Sequence, residues 1–156
     1  MTDLEKEEIK KLLYSWGSYK YIISAEKREL EDIKLMYRNM NDIKDMYMDT
    51  SKKNIKVKSS VEKAFKKNIK LCEGRLEKLN KMIKSNMEIK LKIDNVVDGL
   101  PYVDQYILKA RYVKNMEWEI MPLNLPFYLC KRQCQRIHNT ALEKIYEELK
   151  NKGYFK

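Results

Sequence analysis

The first hundred residues contain no proline, and all three prolines of the chain fall at or after Pro101. Proline breaks helices because it lacks an N–H and clashes with the preceding turn. A 156-residue chain with that distribution and only four glycines has little to stop long helices before residue 98. After that point it has the means to build short elements. The expected fold class is therefore all-α, with a long N-terminal helical hairpin over residues 1–98 and a compact helical part over residues 99–150. Residues 151–156 read as a loose tail.

Apolar periodicity supports the long helices. Ile9, Leu12, Trp16, Tyr19, Ile23, Leu30, Ile33, Tyr37, Met40 and Tyr47 recur at steps of three and four, with Glu26 and Lys44 interrupting the seam. Asp3 suits the cap of this first helix, and Gly17 is its weak point, costing about 1 kcal/mol relative to alanine. The polar run Thr50 to Ser60 breaks the period, and Ser59 or Ser60 suits the next N-cap. A second seam follows: Val61, Phe65, Ile69, Cys72, Leu76, Leu79, Ile83, Met87, Ile93 and Val97. Two such helices joined by a short loop should fold back antiparallel, leaving apolar surface through which the chain can self-associate.

Asp98-Gly99-Leu100-Pro101 marks the next boundary, with Gly99 placed for a C-cap and Pro101 for a first turn. Residues 101–114 form a short helix with Val103, Tyr106, Ile107, Ala110 and Val113 inward, ended by Asn115. Trp118, Ile120, Leu123 and Leu125 supply a second short element. Pro122 and Pro126 prevent it from becoming a regular helix.

Leu129 to Leu149 reads as one amphipathic helix with Cys130, Cys134, Ile137, Ala141, Leu142, Ile145 and Leu149 on one face. Its opposite face begins with Lys131, Arg132, Gln133, Gln135, Arg136 and Asn139, and no acidic residue occurs between Lys131 and Leu142. Long cationic and amide side chains at the start of a helix suit base edges and phosphates in a DNA groove. The competing reading is a solvated basic face on a core helix.

Charge points the same way. The net charge is +10, distributed as −2 over residues 1–50, +8 over residues 51–100 and +4 over residues 101–156. A basic C-terminal two-thirds implies a polyanionic partner, nucleic acid before an anionic membrane surface. Eight lysines and one acid lie between Lys52 and Lys70, a cluster that reads either as solvated surface or as phosphate contacts. Three cysteines make no paired framework and suit a reducing cytosol. No apolar run reaches the length of a membrane span, and no signal peptide is legible.

Leu100-Pro101, Tyr106-Ile107-Leu108, Arg111-Tyr112, Trp118-Glu119-Ile120, Arg132-Gln133, Arg136-Ile137-His138 and Ala141-Leu142 together resemble a sigma-factor region 4-type helix-turn-helix. The combination is similar to the phage late-gene transcriptional activators of the RinA/ArpU type from phages of Gram-positive bacteria. The resemblance covers residues 98–149. It implies sequence-specific binding of double-stranded DNA in the cytoplasm of a bacterial host, activation of phage or prophage late genes, and recognition residues at the start of the last long helix. Two features depart from the family's pattern. Cys130 stands where a serine is usual at the cap, with Gln133 placed to close a capping box. The segment from Ile120 to Cys130 is longer than the usual turn, which implies a short or distorted first helix of the motif.

The expected DNA-binding residues are thus Lys131, Arg132, Gln133, Gln135, Arg136, His138 and Asn139. Arg132, Gln133, Arg136 and Asn139 are the expected base readers, while Lys131, Gln135 and His138 contact phosphates or border the groove. His138 also suits a hydrogen-bonded place between helices. Cys130, Cys134 and His138 share a face but make three ligands where structural zinc takes four, so no metal is expected. No cofactor and no enzymatic activity are expected, because no nucleophile–base set, phosphate loop or carboxylate pair is legible. Contact with host RNA polymerase and self-association through the hairpin are open at this level. So are two other classes: a DNA-packaging adaptor of the small-terminase kind, and a helical scaffold that binds no nucleic acid.

Overall fold

The computed structural model describes residues 1–50 and 55–155, with side chains described outside residues 47–59. All of its elements are helical, and no strand occurs among the described residues. α1 spans Asp3–Thr50, α2 Ile55–Asp98, α3 Tyr102–Leu108, α4 Met121–Asn124 and α5 Lys131–Asn151, with a π-helical turn, Lys109–Val113, continuing α3. No described helix is long and apolar enough to cross a membrane.

The break between the long helices is narrower than the sequence suggests. α2 starts at Ile55, so Ser59 and Ser60 lie inside its first turns and do not cap it. Tyr47 and the lysines before Ser60 lie outside the described side chains. At the other end, Asp3 is the first helical residue of α1 and not its cap. Thr2 holds that place: the Glu5 N–H donates to its hydroxyl at 3.3 Å, and the Thr2 N–H donates to the Glu5 carboxylate at 2.6 Å. That is a capping box.

The chain divides into two compact units, and the division does not fall at residue 98. One unit joins Met1–Tyr21 to Met87–Lys156; the other is Ile22–Asn86. The reason is the core. Ile9, Leu13 and Trp16 of α1, Ile93, Val96 and Val97 of α2, Leu108 of α3, Tyr112, and Ala141, Leu142, Ile145 and Leu149 of α5 form one buried cluster. The ends of both long helices thus belong to the C-terminal unit. Trp16 Nε1–H donates to Asp94 at 2.8 Å, Lys90 donates to the same carboxylate at 2.6 Å, and the Tyr146 hydroxyl donates to Glu5 at 2.5 Å.

Within the second unit α1 and α2 run antiparallel. Arg75 pairs with Glu29 at 2.5 Å, and the Tyr37 hydroxyl donates to Glu73 at 2.9 Å. Leu30, Leu79 and Ile83 form the buried centre. Glu26, which breaks the apolar seam, is buried there and accepts from Asn86 Nδ2 at 2.8 Å.

Residues 151–155 are not a loose end. Gly153 takes φ 73°, the Tyr154 N–H donates to Leu149 O at 2.9 Å, and the Gly153 N–H donates to Lys150 O at 3.0 Å. This is a Schellman motif, in which a left-handed glycine ends the helix. It turns Tyr154 and Phe155 back against the core.

Candidate nucleic-acid interface

α5 is held at its start by a weak cap. Cys130 occupies the N-cap, and its N–H donates to Gln133 Oε1 at 2.9 Å. The helix is then fixed along its inner face, where Cys134, Ala141, Leu142, Ile145 and Leu149 are fully buried. Cys134 packs with Ile107, Ala110 and Met121, which seats the first turns of α5 on α3 and α4. α4 is a single turn with Pro122 near its start, and residues 125–130 connect it to α5. Proline at both ends of this stretch accounts for the short element.

A helix advances about 100° per residue, so Gln135, Asn139, Arg132 and Arg136 lie in that order across one stripe of α5. Arg132, Arg136 and Asn139 are exposed, and Gln135 is half-buried. Neither arginine is in an ion pair or side-chain hydrogen bond among the described residues, while most cations nearby are engaged. Lys131 is ion-paired with Glu119, which lies just before α4, and this pairing holds the Glu119 carboxyl below its ordinary range. Gln133 is exposed, but its oxygen already accepts the Cys130 N–H. Bidentate readout of adenine needs an amide's oxygen and nitrogen together, so Gln133 acts first as a cap.

The His138 side chain is turned inward from the exposed stripe. It is 4% exposed, and its Nε2 is hydrogen-bonded to the Tyr112 hydroxyl at 2.7 Å. Its ring stacks on Tyr112 and meets the Trp118 ring edge-on. Burial holds the imidazole down at about 4, and the charges of Lys10, Arg111 and Lys6 add to the effect. Burial also raises the Tyr112 hydroxyl well above its ordinary value. Both groups are neutral at physiological pH and form a buried polar contact between the π-helical turn and α5. Of the two places expected for His138, the hydrogen-bonded one between helices is observed, and its buried side chain is not on the exposed stripe that would border a groove.

Beside the stripe lies an open cleft of about 460 Å³, lined by Glu7, Lys10, Lys11 and Tyr14 of α1, by Arg111, Tyr112 and Trp118, and by Gln135, His138 and Asn139 of α5, with the buried Tyr112–His138 pair at its floor. The Arg111 guanidinium lies 5.1 Å from the Trp118 ring centroid and donates to Met116 O at 2.9 Å. These α1 and Arg111 groups are absent from any reading of the α5 pattern. They come from elements about a hundred residues apart, and only the shared core brings them together.

Cys130 is exposed and Cys134 is buried. Among the described residues no three His, Cys, Asp or Glu side chains are grouped to hold a metal ion. No protein-family model, no curated protein and no solved structure matches the chain.

Proposed function

We propose that this protein is a sequence-specific DNA-binding transcriptional activator of phage or prophage late genes, acting in a bacterial host cell. The observation that carries the reading is the stripe on α5. Two arginines four residues apart stand exposed, without an ion pair among the described residues, near the start of a firmly seated helix, and Asn139 lies beside them on the same stripe. A guanidinium of this kind can make two hydrogen bonds to guanine. Support also comes from the net charge of +10 and from the resemblance over residues 98–149 to the RinA/ArpU-type activators. In this reading α4 is the first helix of a helix-turn-helix reduced to one turn. Host RNA polymerase and a second copy of the chain are the further partners the reading implies. The proposed activity is binding, without catalysis or cofactor.

The test is recovery of DNA fragments from the protein's own genome with the purified full-length chain, followed by sequencing. Enrichment of a few discrete sites ahead of late genes is expected. Recovery of fragments in proportion to their abundance, whatever their sequence, would overturn the reading.

A further inference from the structure

We propose that the cleft formed by Lys10, Lys11, Arg111, Gln135 and Asn139 is the seat of a DNA backbone phosphate, so that the first turns of α1 form part of the nucleic-acid interface. The inference rests on the reading of α5 as the recognition helix, and it names which strand flanks the groove and which residues hold it.

The placement carries the argument. Gln135 and Asn139 occupy one edge of the α5 stripe, with Arg132 and Arg136 toward the other, and the same two amides form one wall of the cleft. A helix lying in a major groove has a phosphate strand beside each edge of its reading face. On the Gln135 edge that strand meets the cleft. Its opposite wall offers Lys10 and Lys11, and Arg111 adds a third positive charge. Glu7 is the one acid in the lining, and the excess is therefore positive.

Glu7 is ionised and holds Lys10 at 2.7 Å; its carboxyl is kept below the ordinary range by that lysine. Such an exposed pair is weak, so the lysine can exchange the carboxylate for a phosphate oxygen. Tyr14 and Trp118 give the cleft apolar surface of the kind a deoxyribose covers. The arrangement favours a phosphodiester over an acidic peptide, because the two amides lie on the element that reads bases.

The experiment uses the full-length chain with Lys10→Gln and Lys11→Gln combined, with circular dichroism to establish folding. Binding to a cognate and a scrambled duplex is titrated over a range of salt. The slope of log affinity against log salt should flatten by about 1–2, at about 0.9 for each phosphate no longer neutralised. Affinity for both duplexes should fall by a similar factor, leaving their ratio unchanged. Glu7→Gln should shift binding the opposite way, toward higher affinity for both. Lysine acetylation provides a second measurement: duplex should protect Lys10 and Lys11, and inorganic phosphate at the same phosphate concentration should not.

An unchanged slope and unprotected lysines, with Arg132→Ala still erasing the cognate preference, would overturn the cleft assignment alone. Protection by inorganic phosphate equal to that by duplex would also overturn it, leaving a site for a free anion. Failure of the unsubstituted chain to bind any duplex would instead sink the reading on which the inference rests.

Discussion

Gly17 of α1 lies directly against the carbonyl oxygen of Tyr112: a Cβ built on the glycine would sit 1.9 Å from that oxygen and 2.6 Å from its carbon. The obstacle is backbone, which cannot rotate aside as a side chain can. Sequence alone marks this glycine as a weak point of a long helix. The structure makes it a place where α1 comes into direct contact with the backbone of the π-helical turn. Exposed helix glycines usually gain about 1 kcal/mol when replaced by alanine. Here Gly17→Ala should destabilise the protein by about 1–3 kcal/mol, the ordinary range for overpacking. Urea unfolding measures it, and a midpoint at or above that of the unsubstituted protein would contradict the close approach.

The buried His138 sets a pH dependence. Its folded value of about 4 lies below the unfolded 6.5, so the unfolded chain takes up a proton that the folded chain refuses. The contribution is fully present above pH 6.5 and is lost as pH falls from 6.5 toward 4. The slope approaches about 1.4 kcal/mol per pH unit, and the total is about 3 kcal/mol. Carboxylates held low, such as Glu5 at about 2, lose their contribution only below about 4.5. His138 is the one histidine, so the interval from 4.5 to 6.5 is its own. Thermal melts across that interval should show falling stability in the unsubstituted protein and a flat profile in His138→Phe. A flat profile in both would mean that the imidazole is solvated.

Glu26 and Asn86 give a contrast in sign. Glu26 is 8% exposed, and one of its oxygens is buried without a partner. Asn86→Leu should cost about 1–3 kcal/mol, because it removes the donor and leaves the carboxylate stranded. Adding Glu26→Leu should recover that loss or exceed it, since apolar replacement of both members of a buried polar pair is often neutral or stabilising. The double variant being less stable than Asn86→Leu alone would show that the pair is net stabilising.

The all-α fold is legible in the sequence because proline placement and seam periodicity are local signals, and the inward face of α5 is legible at Cys134, Ala141, Leu142, Ile145 and Leu149. The seam periodicity places Met87 inward, yet it is 46% exposed. Asn86 faces Glu26 there, and Ile89 packs inward. A strict apolar count cannot register a polar pair taking a seam position. The Thr2–Glu5 box is written in the sequence as a threonine three residues before a glutamate. Asp3, a better single-residue cap, competes with it. For His138 the hydrogen-bonded place between helices is legible from its inward angle on α5, but its polarity equally suits a phosphate contact, and the partner that makes burial tolerable, Tyr112, is remote in sequence. The α1 wall of the cleft leaves no local trace at all.

Shared packing also predicts how the chain tolerates truncation. Ile9, Leu13 and Trp16 fill the same core as Leu142 and Ile145. Deleting residues 1–21 should therefore abolish cooperative unfolding of the C-terminal unit, as read by the near-ultraviolet signal of Trp118. A sharp, cooperative transition in the truncated chain would show that this unit folds without the first turns of α1.

The central claim is that α5 reads base sequence through its exposed arginines. A competition titration of the full-length chain against cognate and scrambled duplexes at fixed salt measures this directly. Each arginine is expected to supply about 1–3 kcal/mol of discrimination. Arg132→Ala or Arg136→Ala should bring the affinity ratio of the two duplexes close to one. Lys66→Ala, whose side chain is 64% exposed and pairs with Glu62 at 3.3 Å, should leave that ratio at its original value. Arginine variants that both retain the original ratio would contradict the assignment of α5 as the recognition helix.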